Sequence, residues 1–418
     1  MVYNMKKIIT IILLFIAPLY ADKLGIMELQ QIVLKENPRL KSLQFEADML
    51  KKRIPSSSTL EDPKIKFGLN NVPTSDFSFK EDGMTSKEIG LSQMFPLGGK
   101  LKMKESIATK EYKLALERLR KERIEILNKL RIYVYELNYI KASVEILNKM
   151  KGYIKLLMES EKGASKSGMG SLTNVVKANI EETLIDEELI TLKQNERELY
   201  DKINYLTGRH VDIKKEDLLN ITSTSLESKE IKKNILNANP DIRMLSIERD
   251  ISEDEIQLKK KEYYPDIELE VSYMQREDAL GGQDRSDMVS AMVTFNIPLW
   301  YKRKNIPMVT EMERKKWMMN SLVIDKKNEL ISQAETILSR LNKWQELYKL
   351  YTEQLIPQNE LTLETDLAQY KTGGFEFMSL IDTIRMLLKY KKEAILMQKE
   401  YMVEVSKLNA LMGLDVLE

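Results

Sequence analysis

The chain has 418 residues but no cysteine, one histidine, 11 prolines and 16 glycines. Without cysteine there can be no disulfide, no thiolate metal site and no residue to carry a lipid at a mature N-terminus. His210 alone leaves almost nothing for imidazole chemistry. Charge of one sign is also missing: 65 Lys and Arg stand against 64 Asp and Glu, formal net +1, so no basic face recommends nucleic acid as a partner. No phosphate-binding loop or paired-carboxylate site occurs, so neither an enzyme nor a bound cofactor is expected, and no metal site is expected either. Beyond the first 21 residues no long apolar run occurs, which excludes a helical membrane protein. So few glycines and prolines predict a few very long elements rather than several compact domains.

What is present begins with a targeting pattern. Lys6 and Lys7 precede an apolar run from Ile8 to Ala17, and Pro18 to Ala21 close it. This predicts a signal peptide over residues 1–21, although Leu19 stands where a small residue is usual. The apolar core is too short to span a bilayer as a stable helix.

The strongest organisational signal is a pattern written twice. Asn37-Pro38-Arg39-Leu40 returns as Asn239-Pro240-Asp241-Ile242, a shift of 202 that also carries Pro63 to Pro265 and Phe95-Pro96-Leu97 to Ile297-Pro298-Leu299. Further on the shift becomes 205, matching Gly168 with Gly373, Leu172 with Phe377, Val175 with Leu380, and Leu206-Thr207-Gly208 with Leu411-Met412-Gly413. A series in constant order predicts a two-fold internal repeat. Each half reads as helix, two strands and two long helices. The first helices run from about Ile26 to Arg53 and Ser228 to Tyr263, broken at Pro38 and Pro240, with Pro55 and Pro265 marking the passage to extended chain.

Four segments alternate with the period of a strand. Ile65, Phe67 and Leu69 interleave with Lys64, Lys66, Gly68 and Asn70. Ile89, Leu91 and Phe95 interleave with Glu88, Gly90 and Ser92. In the second half Ile267, Leu269, Val271 and Tyr273 interleave with Asp266, Glu268, Glu270 and Ser272. Val289, Ala291, Val293, Phe295 and Ile297 interleave with Ser290, Thr294 and Asn296, and Met288 and Met292 fall on that same wet side. One greasy and one wet face suit either a soluble sheet packed on helices or strands crossing a bilayer. In the second case four strands cannot close a channel and an open edge is forbidden in lipid, so several copies must join; three would give twelve strands.

From Lys100 to Ser167 there is no proline, which at about 1.5 Å per residue predicts roughly 100 Å of helix. A second long segment runs from about Met308 to Thr372, with a kink expected near Pro357. Each turns back into a helix, about Ser171 to Leu206 and Glu376 to Met412. Leu116, Leu119, Arg123, Ile126 and Leu130 suggest one packing seam, and Ile180, Leu184, Glu187 and Thr191 a less regular one.

Together the repeat, the strands and the hairpins resemble the TolC-type outer-membrane efflux family over nearly the whole mature chain. The barrel-to-helix transition of that family is similar to Phe95-Pro96-Leu97-Gly98-Gly99, with Ile297 and Pro298 in the second half, and its tip motif to 168–175 and 370–377. The resemblance implies a mixed α/β membrane protein: four transmembrane strands per protomer complete a trimeric twelve-stranded barrel, continued by a periplasmic α-helical coiled-coil barrel. On that reading 1–21 is the signal, 22–62 a helical segment, 63–97 the first hairpin of strands and 98–208 a helical hairpin with its tip near 168–171. A linker over 209–227 leads to the second helical segment at 228–264. Strands at 265–299, a helical hairpin at 300–413 with its tip near 373–376, and a tail at 414–418 complete the chain.

The implied function is a passive outer-membrane conduit of a tripartite efflux system exporting heavy-metal cations or small toxic molecules. Its partners would be two further copies, outer-membrane lipid, a periplasmic adaptor and an inner-membrane pump of the proton-driven RND type. A channel for type I protein secretion, or a periplasmic coiled-coil adaptor, is the alternative. The resemblance implies adaptor contacts at Gly168, Ser171, Leu172, Asn174, Gly373 and Phe377, and a gate at Tyr370 and Asp382. There Phe375 stands where the family has a basic residue and Ser379 where it has an acid. The stretch Leu69-Asn70-Asn71-Val72-Pro73 is similar to the branch that serves heavy-metal cations.

Overall fold

The computed structural model describes residues 23–166, 171–214, 221, 228–372 and 376–414. The expected signal peptide, the gate position Phe375 and the tip glycines Gly168 and Gly373 lie outside them. Two short helices open the described chain, α1 (Ile26–Glu36) and α2 (Pro38–Ser58), followed by strands β1 (Lys64–Asn70) and β2 (Ser86–Pro96). The long α3 (Lys100–Lys166) and its return α4 (Leu172–Thr207) come next. The order then recurs: α5 (Ser228–Ala238), α6 (Pro240–Lys261), β3 (Asp266–Gln275), β4 (Met288–Phe295), α7 (Tyr301–Leu350), α8 (Ile356–Lys371) and α9 (Phe377–Leu411).

The breaks at Pro38 and Pro240 come with the same local chemistry. Asn37 Oδ1 accepts from the N–H groups of Arg39 and Leu40 at 2.9 and 3.3 Å, and its Nδ2 donates to the carbonyl of Leu206 at 2.8 Å. Asn239 does the same with Asp241, Ile242 and the carbonyl of Leu411, at 2.9, 3.4 and 2.9 Å. Each asparagine satisfies a helix start and also one carbonyl in the last turn of the helix returning from the far tip. Two apolar clusters lie along the rods. Leu130, Leu137, Ile203 and Leu380 belong to one, and Ile231, Ile235, Ala334 and Leu408 to the other.

The four strands form one antiparallel sheet in the order β1-β2-β3-β4, with β1 and β4 at its edges. Ile89 lies opposite Phe67 on one side and Tyr273 on the other, so the alternating faces are in register across the sheet.

Several boundaries differ from the sequence reading. Pro55 does not end its helix. It sits inside α2, and the hydroxyls of Ser56, Ser57 and Thr59 donate to the carbonyls of Arg53, Ile54 and Pro55, satisfying the final turn. The long second-half helix begins at Tyr301 rather than Met308, with Pro307 inside it. Arg303 and Pro307 are exposed, so the carbonyl that Pro307 leaves without a donor meets solvent. The irregularity expected near Pro357 is a π-helical turn, Tyr351–Leu355. Pro357 has no N–H for the carbonyl of Glu353, and the ladder shifts register just before it.

The strand expected to include Ile297 stops at Phe295. Beyond it the Asn296 side chain accepts from the N–H of Asp266 at 2.7 Å in place of a ladder bond. The seams are met only in part. On α3 Ile126 and Leu130 are buried and Leu119 packs against the same cluster, but Leu116 and Arg123 are exposed while Ala115, Ile124 and Leu127 are buried. α4 buries Ala178, Glu181, Ile185 and Leu192 while Ile180, Leu184, Glu187 and Thr191 stay open. Spacing alone identifies a stripe; which stripe packs depends on the partner helix.

Candidate functional site: the sheet faces and the hairpin tips

A soluble sheet buries its apolar face. Here the opposite holds. Ser86, Glu88, Ser92 and Ser272 are buried on the polar face, while Phe67 is 78% exposed and Val289 74% on the apolar one. Ile65, Leu69, Ile89, Leu91, Leu269, Val271, Val293 and Phe295 are exposed on that same side. The apolar side chains face outward along all four strands.

The polar face carries its own network. Lys66 Nζ lies 3.2 Å from Glu270 and 3.9 Å from Glu88. Asn70 Nδ2 donates to Glu88 at 2.7 Å, and Ser92 Oγ donates to Glu268 at 2.8 Å. Charges gathered on one face are paired with one another and with polar neighbours, and such a face cannot serve as a dry core.

Where the sheet passes into helix, Gly98 and Gly99 both hold left-handed φ values, 73° and 72°. A Cβ on Gly98 would stand 2.7 Å from Cδ2 of Tyr264, so the turn that aims α3 away from the sheet needs glycine there. Lys100 closes this junction by donating to the carbonyl of Tyr264 at 2.8 Å and to Asp266 at 2.7 Å.

The chain has the fold of outer-membrane channels. The structure superposes on the outer-membrane channel OprN with a TM-score of 0.78 at 13% identity, covering 93% of this chain and 89% of that one. For CusC, described for its transmembrane channel formation, the TM-score is 0.77 at 13% identity over 94% and 93%. For the outer membrane protein VceC from Vibrio cholerae it is 0.74 at 16% identity over 93% and 96%. No family model and no curated relative matches the sequence. Identities this low carry backbone architecture and not side-chain roles, so the residues must be read from their own surroundings. Among the described residues no helix is long and apolar enough to cross a membrane.

At the other end of the rods, the described members of the expected gate, Tyr370, Ser379 and Asp382, have different partners. Tyr370, on α8, donates its phenolic proton to Glu161 on α3. Glu161 is 6% exposed and also accepts from the Ser171 N–H at 3.2 Å and Asn174 Nδ2 at 3.5 Å, so one carboxylate ties the two hairpins together. Burial first, and then the bond to Glu161, push the Tyr370 phenol well above its ordinary value.

Asp382 lies on an exposed face and pairs with Arg385 at 2.9 Å, one turn along α9. Arg385 in turn holds Glu181 of α4, and Lys392 holds Glu188 two turns further on. The hydrogen bonds that Arg385 donates to Glu181 are the first cause that raises its guanidinium pKa above the ordinary value. Phe375 takes the place of the family's basic residue, and neither Arg385 nor Glu161 is marked by the sequence pattern. The Ser379 carbonyl accepts from Thr383 Oγ1 at 3.1 Å, and Thr383 Oγ1 also lies 2.6 Å from the buried Asp366 as a donor.

Among the expected adaptor contacts, Leu172 and Ser171 are exposed at the turn and Asn174 is half-buried against Glu161. Phe377 is 3% exposed and packs near the Tyr370 ring, centroids 6.1 Å apart, so its side chain is core and not offered to a partner.

Proposed function

We infer that three copies of this chain form a passive channel through a bacterial outer membrane, the outer component of a tripartite efflux system. The observation that carries the reading is the inverted sheet. An exposed apolar face on every strand is a large cost in water and a requirement in lipid. The free edges of β1 and β4 support joining between copies, because an unpaired edge cannot persist in hydrocarbon. Pairing β4 of one copy with β1 of the next would close a ring, and three copies would give a twelve-stranded barrel. The lumen would then be lined by Lys66, Glu88, Glu268, Glu270 and Thr294.

The helices fit the same role. The 67 residues of α3 span roughly 100 Å at about 1.5 Å each, a length suited to crossing a periplasm rather than to filling a compact domain. Leu172, Val176, Ile180 and Leu184 of α4 form an exposed apolar stripe at four-residue spacing, as expected of a face covered by a neighbouring copy. The matching caps at Asn37 and Asn239 support a duplicated half as the origin of the layout. Energy for transport would come from an inner-membrane pump of the proton-driven RND type, joined through a periplasmic adaptor at the hairpin tips around Ser171 and Leu172. Cargo would be heavy-metal cations or small toxic molecules. Tyr370 with Glu161, and Arg385 with Glu181, would hold the closed tip.

A soluble coiled-coil adaptor would share the hairpins but would leave the exposed face of the sheet unexplained. Extraction of outer-membrane fractions with detergent, followed by sizing and planar-bilayer recording, tests the proposal. The expected result is a detergent-dependent trimer that conducts ions. A freely soluble monomer would overturn it.

A further inference from the structure

The wet face of the sheet carries one residue type that its hydration does not explain. All four methionines of the strands, Met94, Met274, Met288 and Met292, lie on it, and no Leu, Ile, Val or Phe does. On the apolar face aliphatic and aromatic residues predominate, with Lys87, Gln93 and Gln275 as the polar exceptions, and methionine never appears. A need for packing alone would be met as well by leucine.

The register gives each methionine a specific neighbour. Met274 is opposite Met288 on one side and Glu88 on the other. Met94 is opposite Glu268, and Met292 opposite Glu270. Side chains directly opposite on one face have Cβ atoms about 4.5–5.5 Å apart, within easy reach for two flexible thioethers or a thioether and a carboxylate. Met288 and Met292 are 44% and 55% exposed, and Met94 and Met274 are half-buried, so none of the four is sealed in a core. Among the described residues no group of three or more His, Cys, Asp or Glu could hold a metal, so a hard or borderline divalent ion finds no cage here.

We propose that this face binds soft monovalent cations of the copper(I) and silver(I) class, with the Met274–Met288 pair as a two-sulfur site and Met94–Glu268 and Met292–Glu270 as sulfur–oxygen sites along the same path. Thioethers select these ions over sodium, magnesium and zinc. The acids Glu88, Glu268 and Glu270 against Lys64 and Lys66 supply the counter-charge, Asp266 being already paired with Lys100. Sites of two donors bind without caging, which suits passage along a wall rather than storage. The inference rests on the reading of this face as the channel lining, and it narrows the cargo to soft cations.

The test uses the full-length protein in detergent and silver(I) nitrate in chloride-free buffer, with binding followed by calorimetry and by metal analysis after gel filtration. Wild type is expected to bind silver(I) and not zinc(II). M274L/M288L and M94L/M292L, which keep apolar volume, are each expected to weaken binding by about tenfold or more. M49L/M386L, on exposed helical positions, is the control and is expected to change nothing. Equal binding by wild type and both sheet variants, or an equal loss in the control, overturns the proposal.

Liposome conductance measured on the same samples separates the two readings. Conducting protein without silver(I) binding removes this inference alone. Silver(I) binding without conductance removes the channel, and with it the role of the sites in transport.

Discussion

Tyr370 and Glu161 stand 209 positions apart in sequence and share one hydrogen bond, phenol to carboxylate, between α8 and α3. It is a contact between the two helical hairpins at the level of their tips, so removing it should loosen the tip without touching the sheet. A hydrogen bond to a charged group contributes about 1.5–3 kcal/mol, enough to change a closed-to-open ratio by roughly ten- to a hundredfold. Tyr370→Phe is therefore expected to raise open probability in planar-bilayer recordings, and Glu161→Gln, which keeps an acceptor, to raise it less. Recordings of Y370F that match wild type would remove this pair from the gate.

The same bond has a defined pH dependence. The phenol is raised above its usual 10.0 by burial and by Glu161. A group whose folded pKa is raised contributes stability that is fully present below the unfolded value and lost as pH rises through the folded one. The contribution of the phenol should thus be present at neutral pH and lost only as pH rises through its raised value, in strong alkali. Ultraviolet difference titration of wild type against Y370F should show one tyrosine ionising later than the rest. An ordinary phenol titration at that position would show that the bond is not formed in solution.

The two faces of the sheet predict opposite tolerance at neighbouring positions. Val271 is exposed on the apolar side, and Glu270 points to the wet side toward Lys66. A lysine facing lipid near mid-strand costs about 2–4 kcal/mol, so Val271→Lys should sharply lower the yield of assembled protein in the outer-membrane fraction. Glu270→Gln keeps a polar group in water and should assemble at close to wild-type yield. Similar yields for the two variants would mean that the outward face does not meet lipid.

Much of this architecture was legible because its signals are local. Alternation places the four strands, and a stretch without proline gives α3 its length. The Asn-Pro breaks are set by side chains bonding to their own next turn. What was not legible depends on distant partners. The buried stripe of α4 falls one position from the expected one because its neighbouring helices select it. Glu161 carries no mark of its own in the sequence. It is one acid among 64 acidic residues until the fold brings Tyr370 beside it.

Gly208 and Gly413, at matching positions after α4 and α9, separate two costs that are usually mixed. Both have left-handed φ, 72° and 70°. A Cβ on Gly208 would meet nothing within 4 Å, whereas one on Gly413 would stand 2.4 Å from the carbonyl oxygen of Ala238. That oxygen belongs to the backbone just before Asn239, whose side chain holds the carbonyl of Leu411, so it cannot retreat without disturbing the cap. Gly208→Ala should cost only the left-handed penalty, about 1–2 kcal/mol. Gly413→Ala should cost that and the displacement of the α5–α6 break, and so lower the thermal midpoint of the detergent-solubilised protein clearly more. Equal shifts in the two variants would show that the end of α9 does not press against Ala238 as the structure places it.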